Sequence, residues 1–207
     1  EEASSPGRWF VPSLVISFFA VGASGPIIRL FAVDIARTFQ VPLGVATQLS
    51  TINSVGEVII ALLMGFLAVR FKHKSLLLAG ILLVVTSAVG SYLAPTLNLM
   101  LIFFALEGVG TVIVGIMGLT LIGDSLALNK KAKTVSYVMA TTALVSLIGL
   151  PAISLIANVA GWRSIFILFV LPISIAGLVL ASLSVPSKPQ ELQAGAGMHA
   201  YLSSFKQ

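Results

Sequence analysis

The sequence contains no cysteine and little charge, and both absences exclude classes of protein. Without cysteine among its 207 residues, the chain has no disulfide framework and no cysteine-based metal site. Only 9% of the residues are charged, against roughly 25% in an ordinary soluble domain. Hydrophobic residues make up 57% of the chain, and the mean hydropathy is +1.07. No water-soluble fold can bury this much apolar surface, so the composition indicates a membrane protein.

Six apolar segments are each long enough to cross a bilayer, which takes about 20 residues of helix. An open sheet cannot span lipid because its edge amides stay unsatisfied, and the apolar residues do not alternate as barrel strands require. The sequence therefore predicts an all-α polytopic membrane protein whose six-helix bundle occupies residues 1–184. The predicted helices 1 to 6 cover about Trp9–Phe31, Val45–Val69, Ser75–Leu93, Leu97–Ile122, Thr134–Val159 and Ser164–Leu183.

Basic residues are concentrated on one side of the predicted bundle. Nine of the 12 lysines and arginines lie before helix 1 or after helices 2, 4 and 6, and only Arg29, Arg37 and Arg163 lie on the other side. The positive-inside rule then predicts that both termini are cytoplasmic, in a multi-pass protein of the inner (plasma) membrane. Because the basic residues sit in short loops rather than on one folded face, the net charge of +5 does not indicate nucleic acid as a partner.

The composition changes after helix 6. Residues 187–197 are rich in Ser, Pro, Ala and Gly, which is typical of a flexible linker. Apolar side chains then recur with the i, i+3, i+4, i+7 spacing of an amphipathic helix, at Met198, Tyr201, Leu202 and Phe205. Residues 185–207 are therefore predicted to be a cytoplasmic linker with a short amphipathic helix. Because this helix stops abruptly at Gln207, we expect the chain to be cut before something longer.

Small residues are dense in helices 1 and 4, which would each open a three-helix repeat. Helix 1 carries the segment Gly22–Pro26, and helix 4 carries Gly108, Gly110, Gly115 and Gly118. Interrupted helices at matching repeat positions point to the central site of a transporter. The alternative is that these glycines only allow close helix packing.

The loop between helices 2 and 3 carries a motif. Residues 65–74 read GFLAVRFKHK, which resembles G-x-L-a-D-R-x-G-R-R/K, the loop 2–3 signature of the major facilitator superfamily. Gly65, Leu67, Arg70 and Lys74 match, whereas Val69 replaces the aspartate and Lys72 replaces the glycine.

Two further segments support the same resemblance. Gly149-Leu150-Pro151 followed by GWRSIF over residues 161–166 resembles the G-x-P and GWRxxF pairing of the drug and sugar efflux antiporters, the arabinose-efflux-like group. Residues 106–110, LEGVG, resemble the helix 4 motif R-x-x-q-G-x-g, with Phe104 in the place of its arginine.

The resemblance implies a function and partners. Members have twelve helices in two halves of 3+3 inverted repeats, so the chain corresponds to an amino-terminal half that pairs with a second six-helix half, covalently or as a homodimer. The implied activity is proton-coupled efflux of small drug-like or sugar-like molecules by alternating access, with protons and the bilayer as further partners and no cofactor. The alternative function is a non-transporting membrane assembly or receptor domain. An enzyme is not expected, because no paired Asp-Asp, Ser-Lys or His cluster lies at mid-membrane.

Two glutamates lie deep in the predicted helices, where charge is costly and therefore usually functional. Glu57 lies thirteen residues before Arg70, about 20 Å into the membrane, and Asn53 lies one turn away on the same face. We expect Glu57 to bind a proton or cation; the alternative is a neutral acid hydrogen-bonded between helices. Glu107, nine residues inside helix 4, is a candidate for contact with a cationic substrate, or it only caps a polar network.

Arg29 and Asp34 follow Pro26 in helix 1. Counted from Trp9, Arg29 lies near the outer boundary, and Asp34 and Arg37 lie beyond it. The i, i+3 spacing allows an Asp34–Arg37 ion pair at the rim. Alternatively, helix 1 sits deeper and Arg29 or Asp34 meets substrate.

A cytoplasmic gate and a hinge complete the predicted site. The resemblance assigns the gate to Gly65, Arg70, Lys74 and Asp124, with a latch weakened by Val69 and an ion pair between Arg70 and Asp124. The helix 5 hinge is assigned to Gly149 and Pro151. No metal site is predicted, since His73 and His199 have no ligand partner at metal spacing.

Overall fold

The computed structural model describes residues 7–186, and it confirms the predicted all-α class. The described residues form helices and no strand. Six helices are long and apolar enough to cross a membrane, as the apolar runs predict: helix 1 (Phe10–Phe39), helix 2 (Leu43–Arg70), helix 3 (His73–Leu93), helix 4 (Leu97–Ser125), helix 5 (Leu128–Ala160) and helix 6 (Phe166–Ser184). The predicted linker and the stripe Met198–Phe205 lie outside the described residues.

Helix 1 is longer than its apolar run predicts. It continues past Phe31, where φ and ψ are −114° and 18°, and ends at Phe39. Gln40 then takes a left-handed conformation, with φ of 53°, as residues that end helices commonly do. The predicted end at Phe31 is wrong because Arg29, Asp34 and Arg37 lower the hydropathy without preventing backbone hydrogen bonds. The non-helical residue in helix 1 is Phe31, and the segment Gly22–Pro26 keeps helical dihedral angles.

Helices 4 and 5 are also longer than predicted, and the connection between them is short. Helix 4 ends at Ser125 and helix 5 begins at Leu128. The lysines that the sequence places in a loop therefore lie in the first two turns of helix 5; they are Lys130, Lys131 and Lys133.

The six helices pack as two interlocked triplets. Helix 4 packs against helices 2 and 3, and helix 1 packs against helices 5 and 6. Helices 3 and 6 also contact each other, and helix 1 contacts helix 4 at the centre. If helices 1–3 and helices 4–6 are taken as two repeats, the first helix of each repeat packs against the second and third helices of the other. Two three-helix repeats produce this arrangement.

A π-helical turn precedes a proline in helix 5 and again in helix 6. The turn Val145–Gly149 comes directly before Leu150-Pro151, and the turn Phe166–Val170 comes directly before Leu171-Pro172. Proline has no backbone N–H, so the carbonyl one turn earlier loses its ordinary helical partner. A wider turn next to the proline is one way a helix accommodates that loss. The hinge predicted at Gly149 and Pro151 therefore lies at a local widening of helix 5, and its movement stays a prediction.

Candidate functional site

Glu107 is a carboxylic acid buried in the middle of the bundle. It lies ten residues after the start of helix 4, which places it about 15 Å along the helix axis. Its side chain is 5% exposed. A charged group at such depth is expensive unless polar groups surround it, so its hydrogen-bond partners decide what it can do.

Three side chains surround the carboxyl group of Glu107. Ser24 Oγ on helix 1 donates to Oε1, and Asn53 Nδ2 on helix 2 donates to Oε2. Thr111 Oγ1, one turn further along helix 4, lies 3.3 Å from Oε1. Asn53 Nδ2 also donates to the backbone carbonyl of Phe104 at 3.0 Å. The polar cluster Ser24–Asn53–Glu107–Thr111 therefore joins three helices at one point.

Glycines let helices 2 and 4 approach closely enough to form this cluster. A Cβ atom on Gly108 would overlap the backbone carbonyl of Asn53, and a Cβ on Gly56 would lie 2.6 Å from the carbonyl oxygen of Ala105. Gly108 immediately follows Glu107, so the same close contact that excludes a side chain brings Asn53 to the carboxyl group. The packing role considered for Gly108 is therefore confirmed.

Glu57 lies beside the polar cluster rather than in it. Its side chain is half-buried, and within residues 7–186 it has no hydrogen-bond or ion-pair partner. The carboxyl groups of Glu57 and Glu107 are close enough for their charges to repel each other. The interhelical hydrogen bonding considered for Glu57 is found at Glu107 instead, and Asn53 donates its hydrogen bond to Glu107.

Arg29 lies in the body of helix 1 rather than at its end. It precedes the end of helix 1 by ten residues, about 15 Å of helix, and its side chain is exposed on this half of the bundle. Asp34 and Arg37 lie in the last turns of helix 1. In the described part of the chain these two residues form no ion pair, so the predicted Asp34–Arg37 pair is wrong; Thr38 Oγ1 instead donates to the Asp34 carbonyl at 2.7 Å.

The end of the bundle that carries most basic residues is here called the basic end. At this end His73 connects helix 3 to helix 4. His73 Nδ1 lies 2.8 Å from Asp124 Oδ2, whereas the guanidinium of Arg70 lies over the ring of Phe66, 5.9 Å from its centroid. The partner that the structure shows for Asp124 is therefore His73, and the Arg70–Asp124 ion pair stays a prediction. Arg70 ends helix 2 and its side chain points one turn back, while His73 begins helix 3 beside the last turn of helix 4.

Two other predicted gate residues differ in their surroundings. Lys74 Nζ donates to the carbonyl of Ser182 at 2.8 Å, which places a cation at the carboxyl end of helix 6, where the helix dipole favours one. A Cβ on Gly65 would meet no atom of residues 7–186 within 4 Å, so nothing in this part of the chain requires glycine there.

Aromatic rings join helix 1 to helix 4 at the opposite end of the bundle. Trp162 Nε1 donates to Thr38 Oγ1 at 3.0 Å, and the guanidinium of Arg163 lies 5.0 Å from the ring centroid of Phe39. A chain of ring contacts then runs inward through Phe39, Trp162, Phe166 and Phe104. Phe104 thus belongs to an apolar contact with the GWRSIF segment, where the family motif has an arginine.

Sequence reasoning missed Ser24, Thr111 and His73 as parts of the site. A serine inside an apolar run leaves no mark on hydropathy, so Ser24 gave no signal of its own beyond lying among the small residues of helix 1. Thr111 could have been predicted from the sequence, because its i+4 spacing from Glu107 places both residues on one helix face. In residues 7–186 no three His, Asp or Glu side chains gather as metal ligands do.

The fold and the buried cluster define a helical membrane protein with a polar centre. The sequence profile of the Major Facilitator Superfamily matches residues 11–206. The chain therefore belongs to this superfamily of membrane transporters, and its six helices correspond to half of a transporter. No curated protein matches the sequence significantly.

Proposed function

We propose that this half-transporter couples the movement of a small molecule to a proton, and that Glu107 carries the proton. The observation that carries the proposal is the hydrogen bonding of one buried carboxyl group to side chains of helices 1 and 2. A group that gains and loses charge at this point changes its bonds to both helices at once. Glu57, the residue favoured by the sequence, then acts as the neighbouring charge.

The exposed face of helix 1 supports a second half as the partner. Gly22, Gly25 and Arg29 lie on this face, and all three are exposed. A guanidinium at this depth cannot face acyl chains without a large penalty, so another protein surface or a water-filled cavity covers it. Helices 2 and 5 flank the same region and are the least covered, with 17% of their apolar stretches buried against 50% in helix 3. A second six-helix half, covalent or from a second copy, fits this face, with the substrate site between the halves at Arg29 and the proton site at Glu107, buried inside this half.

Efflux of drug-like or sugar-like molecules is the direction and substrate class that the motif resemblance favours. The GWRSIF segment behind that resemblance packs against the end of helix 1 through Trp162 and Arg163. Movement of helix 1 therefore acts on this segment directly, as expected of an antiporter that alternates between two faces.

Proton movement in proteoliposomes tests the proposal. The full-length protein is reconstituted with a pH-sensitive dye inside the vesicles, and ethidium (a lipophilic cation) or arabinose (a neutral sugar) is applied as a gradient. We expect one of these probes to drive proton movement, which Glu107→Gln abolishes. Glu57→Gln is the matched control, because it removes a carboxyl group that makes no hydrogen bond in the described bundle.

Each outcome separates two functions. If Glu57→Gln abolishes proton movement and Glu107→Gln does not, the proton belongs to Glu57. If both variants transport the probe as the parent does, transport is not coupled to protons. A parent protein that moves neither probe nor protons favours the non-transporting assembly or receptor domain.

The proposed orientation has its own test. Because these 207 residues contain no cysteine, single cysteines introduced into them report topology without background once any cysteine outside them is replaced. In intact cells, we expect a membrane-impermeant maleimide to label Pro95→Cys, between helices 3 and 4, and to leave Lys131→Cys unlabelled. The reverse pattern would place the basic end outside the cell.

A further inference from the structure

Ser24 has one proton and two acceptors, and the choice between them depends on Glu107. Its Oγ lies 3.0 Å from the carbonyl oxygen of Val21 on its own helix and within hydrogen-bond distance of Glu107 Oε1 on helix 4. A hydroxyl carries a single hydrogen and can also accept. It therefore donates either along helix 1 or across to helix 4, and never both ways at once.

Asn53 decides which oxygen of Glu107 takes a proton. Both hydrogens of Asn53 Nδ2 are committed, one to the Phe104 carbonyl and the other to Glu107 Oε2. The Phe104 carbonyl only accepts, which fixes the orientation of this amide. A proton on Oε2 would face an amide hydrogen, whereas a proton on Oε1 faces the hydroxyls of Ser24 and Thr111, which accept. The proton therefore binds Oε1, beside Ser24.

We propose that Ser24 relays the protonation of Glu107 to helix 1. When Glu107 is ionised, Ser24 donates to Oε1 and ties helix 1 to helix 4 with a charge-assisted hydrogen bond. When Oε1 takes up a proton from water in the transport pathway, the acid donates to Ser24 Oγ, and the serine hydrogen turns to the Val21 carbonyl. No covalent bond of Ser24 changes. Hydrogen bonds to an ionised group are roughly twice as strong as neutral ones, so protonation loosens helix 1 from helix 4.

The rest of helix 1 is arranged to turn this loosening into movement. Phe31, the non-helical residue, lies seven residues beyond Ser24, and the helix then continues to Thr38. Thr38 accepts the hydrogen bond of Trp162. A change at Ser24 therefore reaches Trp162 through a helix that bends between them.

Other ionisable groups on the helices packed against helix 4 are placed differently. Glu57 on helix 2 is the one whose charge acts on Glu107. Arg29 on helix 1 lies five residues beyond Ser24 and is exposed. The remaining groups lie near the ends of these helices, except Tyr137 in the third turn of helix 5; they are Asp34, Arg37, Arg70, His73, Lys74, Tyr92, Lys130, Lys131, Lys133 and Tyr137. Of these groups, only Glu57 requires a control variant in a pH titration of the cluster.

Fluorescence of Trp162 tests this relay, which rests on Glu107 being the proton site. These 207 residues contain two tryptophans, so Trp9→Phe leaves Trp162 as the single reporter once every tryptophan outside them is also replaced by phenylalanine. In full-length protein reconstituted in liposomes, we expect its emission to change with pH in one step. Glu107→Gln removes the step, and Ser24→Ala reduces its amplitude at least threefold. Ser24→Thr, which keeps the hydroxyl, retains the step.

Controls distinguish failure of the relay from failure of the proton site. Thr120→Val removes a hydroxyl of helix 4 that donates along its own helix and not to Glu107, and Glu57→Gln removes the neighbouring charge; both are expected to keep the step. A step of full amplitude in Ser24→Ala, together with its loss in Glu107→Gln, overturns the relay and leaves Glu107 as the proton site. A step that survives in Glu107→Gln overturns both. If Ser24→Ala does not fold, Ser24→Cys replaces it, with the same threefold reduction expected because a thiol is a weak donor.

Discussion

Gly108 on helix 4 lies directly against the backbone of Asn53 on helix 2, with no room for a side chain between them. This contact sets the distance between the two helices at the depth of Glu107. Because the Asn53 amide reaches Glu107 only at this spacing, the packing of a glycine and the chemistry of a carboxyl group depend on each other.

We expect Gly108→Ala to destabilise the protein and to weaken the Asn53–Glu107 hydrogen bond. The added methyl group overlaps a backbone carbonyl that cannot move aside as a side chain can, and overpacking of this kind costs about 1–3 kcal/mol. Unfolding the protein in detergent micelles by adding increasing amounts of SDS gives its free energy of unfolding. Gly115→Ala is the matched control in the same helix, since a Cβ there meets nothing within 4 Å. Equal stability of the two variants would contradict the close contact.

Asn53→Asp is expected to disrupt the cluster although it barely changes the shape of the side chain. Aspartate has no N–H donors for the Phe104 carbonyl or for Glu107, and it adds a second negative charge beside the first. A buried acceptor left without its donor costs about 1–3 kcal/mol. Asn98→Asp, at an exposed position near the start of helix 4, is the control and should leave the unfolding free energy unchanged or slightly higher. An unchanged unfolding free energy in Asn53→Asp would mean that the amide does not donate to Glu107.

A double-mutant cycle at the basic end is expected to find coupling between His73 and Asp124. Both side chains are partly exposed, 25% and 46%, so the coupling energy should be about 0.2–1 kcal/mol. The parallel cycle of Arg70→Ala with Asp124→Ala should be additive, because Arg70 lies over Phe66 instead. Coupling between Arg70 and Asp124, with none between His73 and Asp124, would support the ion pair that the sequence predicts.

Trp162→Phe should cost about 0.5–1.5 kcal/mol through the loss of one hydrogen bond. Phenylalanine keeps an aromatic ring near Phe39 and Phe166 but cannot donate to Thr38. The exposed Trp9 provides the control, and Trp9→Phe should leave the unfolding free energy unchanged within about 0.5 kcal/mol. A loss no larger than that of the control would show that the bond to Thr38 contributes nothing to stability.

The six spans could be predicted from the sequence because lipid imposes a length and an apolar composition that can be counted directly. The carboxyl end of helix 1 could not. The charges of Arg29 and Asp34 end the apolar run, whereas the helix itself ends where Gln40 reverses the backbone. Hydropathy describes the surrounding solvent, and helix ends depend on backbone hydrogen bonds.

The candidate site was half accessible to sequence reasoning. Glu107 and Asn53 stand out as polar residues inside apolar runs. Their contact with Ser24 depends on how helices 1, 2 and 4 are rotated about their axes, and one sequence does not contain that rotation. The same limit explains why the motif points to Arg70, whereas His73 is the residue found beside Asp124.

The π-turn in helix 5 changes how this chain is compared with its relatives. A π-turn holds about one residue more than an α-turn, so positions beyond Gly149 are rotated by about 100° relative to an uninterrupted helix. A single helical wheel drawn from Leu128 to Ala160 therefore assigns the last eleven residues to the wrong faces. An alignment to a relative that lacks the widened turn requires a one-residue gap within positions 145–149 before any lipid-facing or cavity-facing position is transferred.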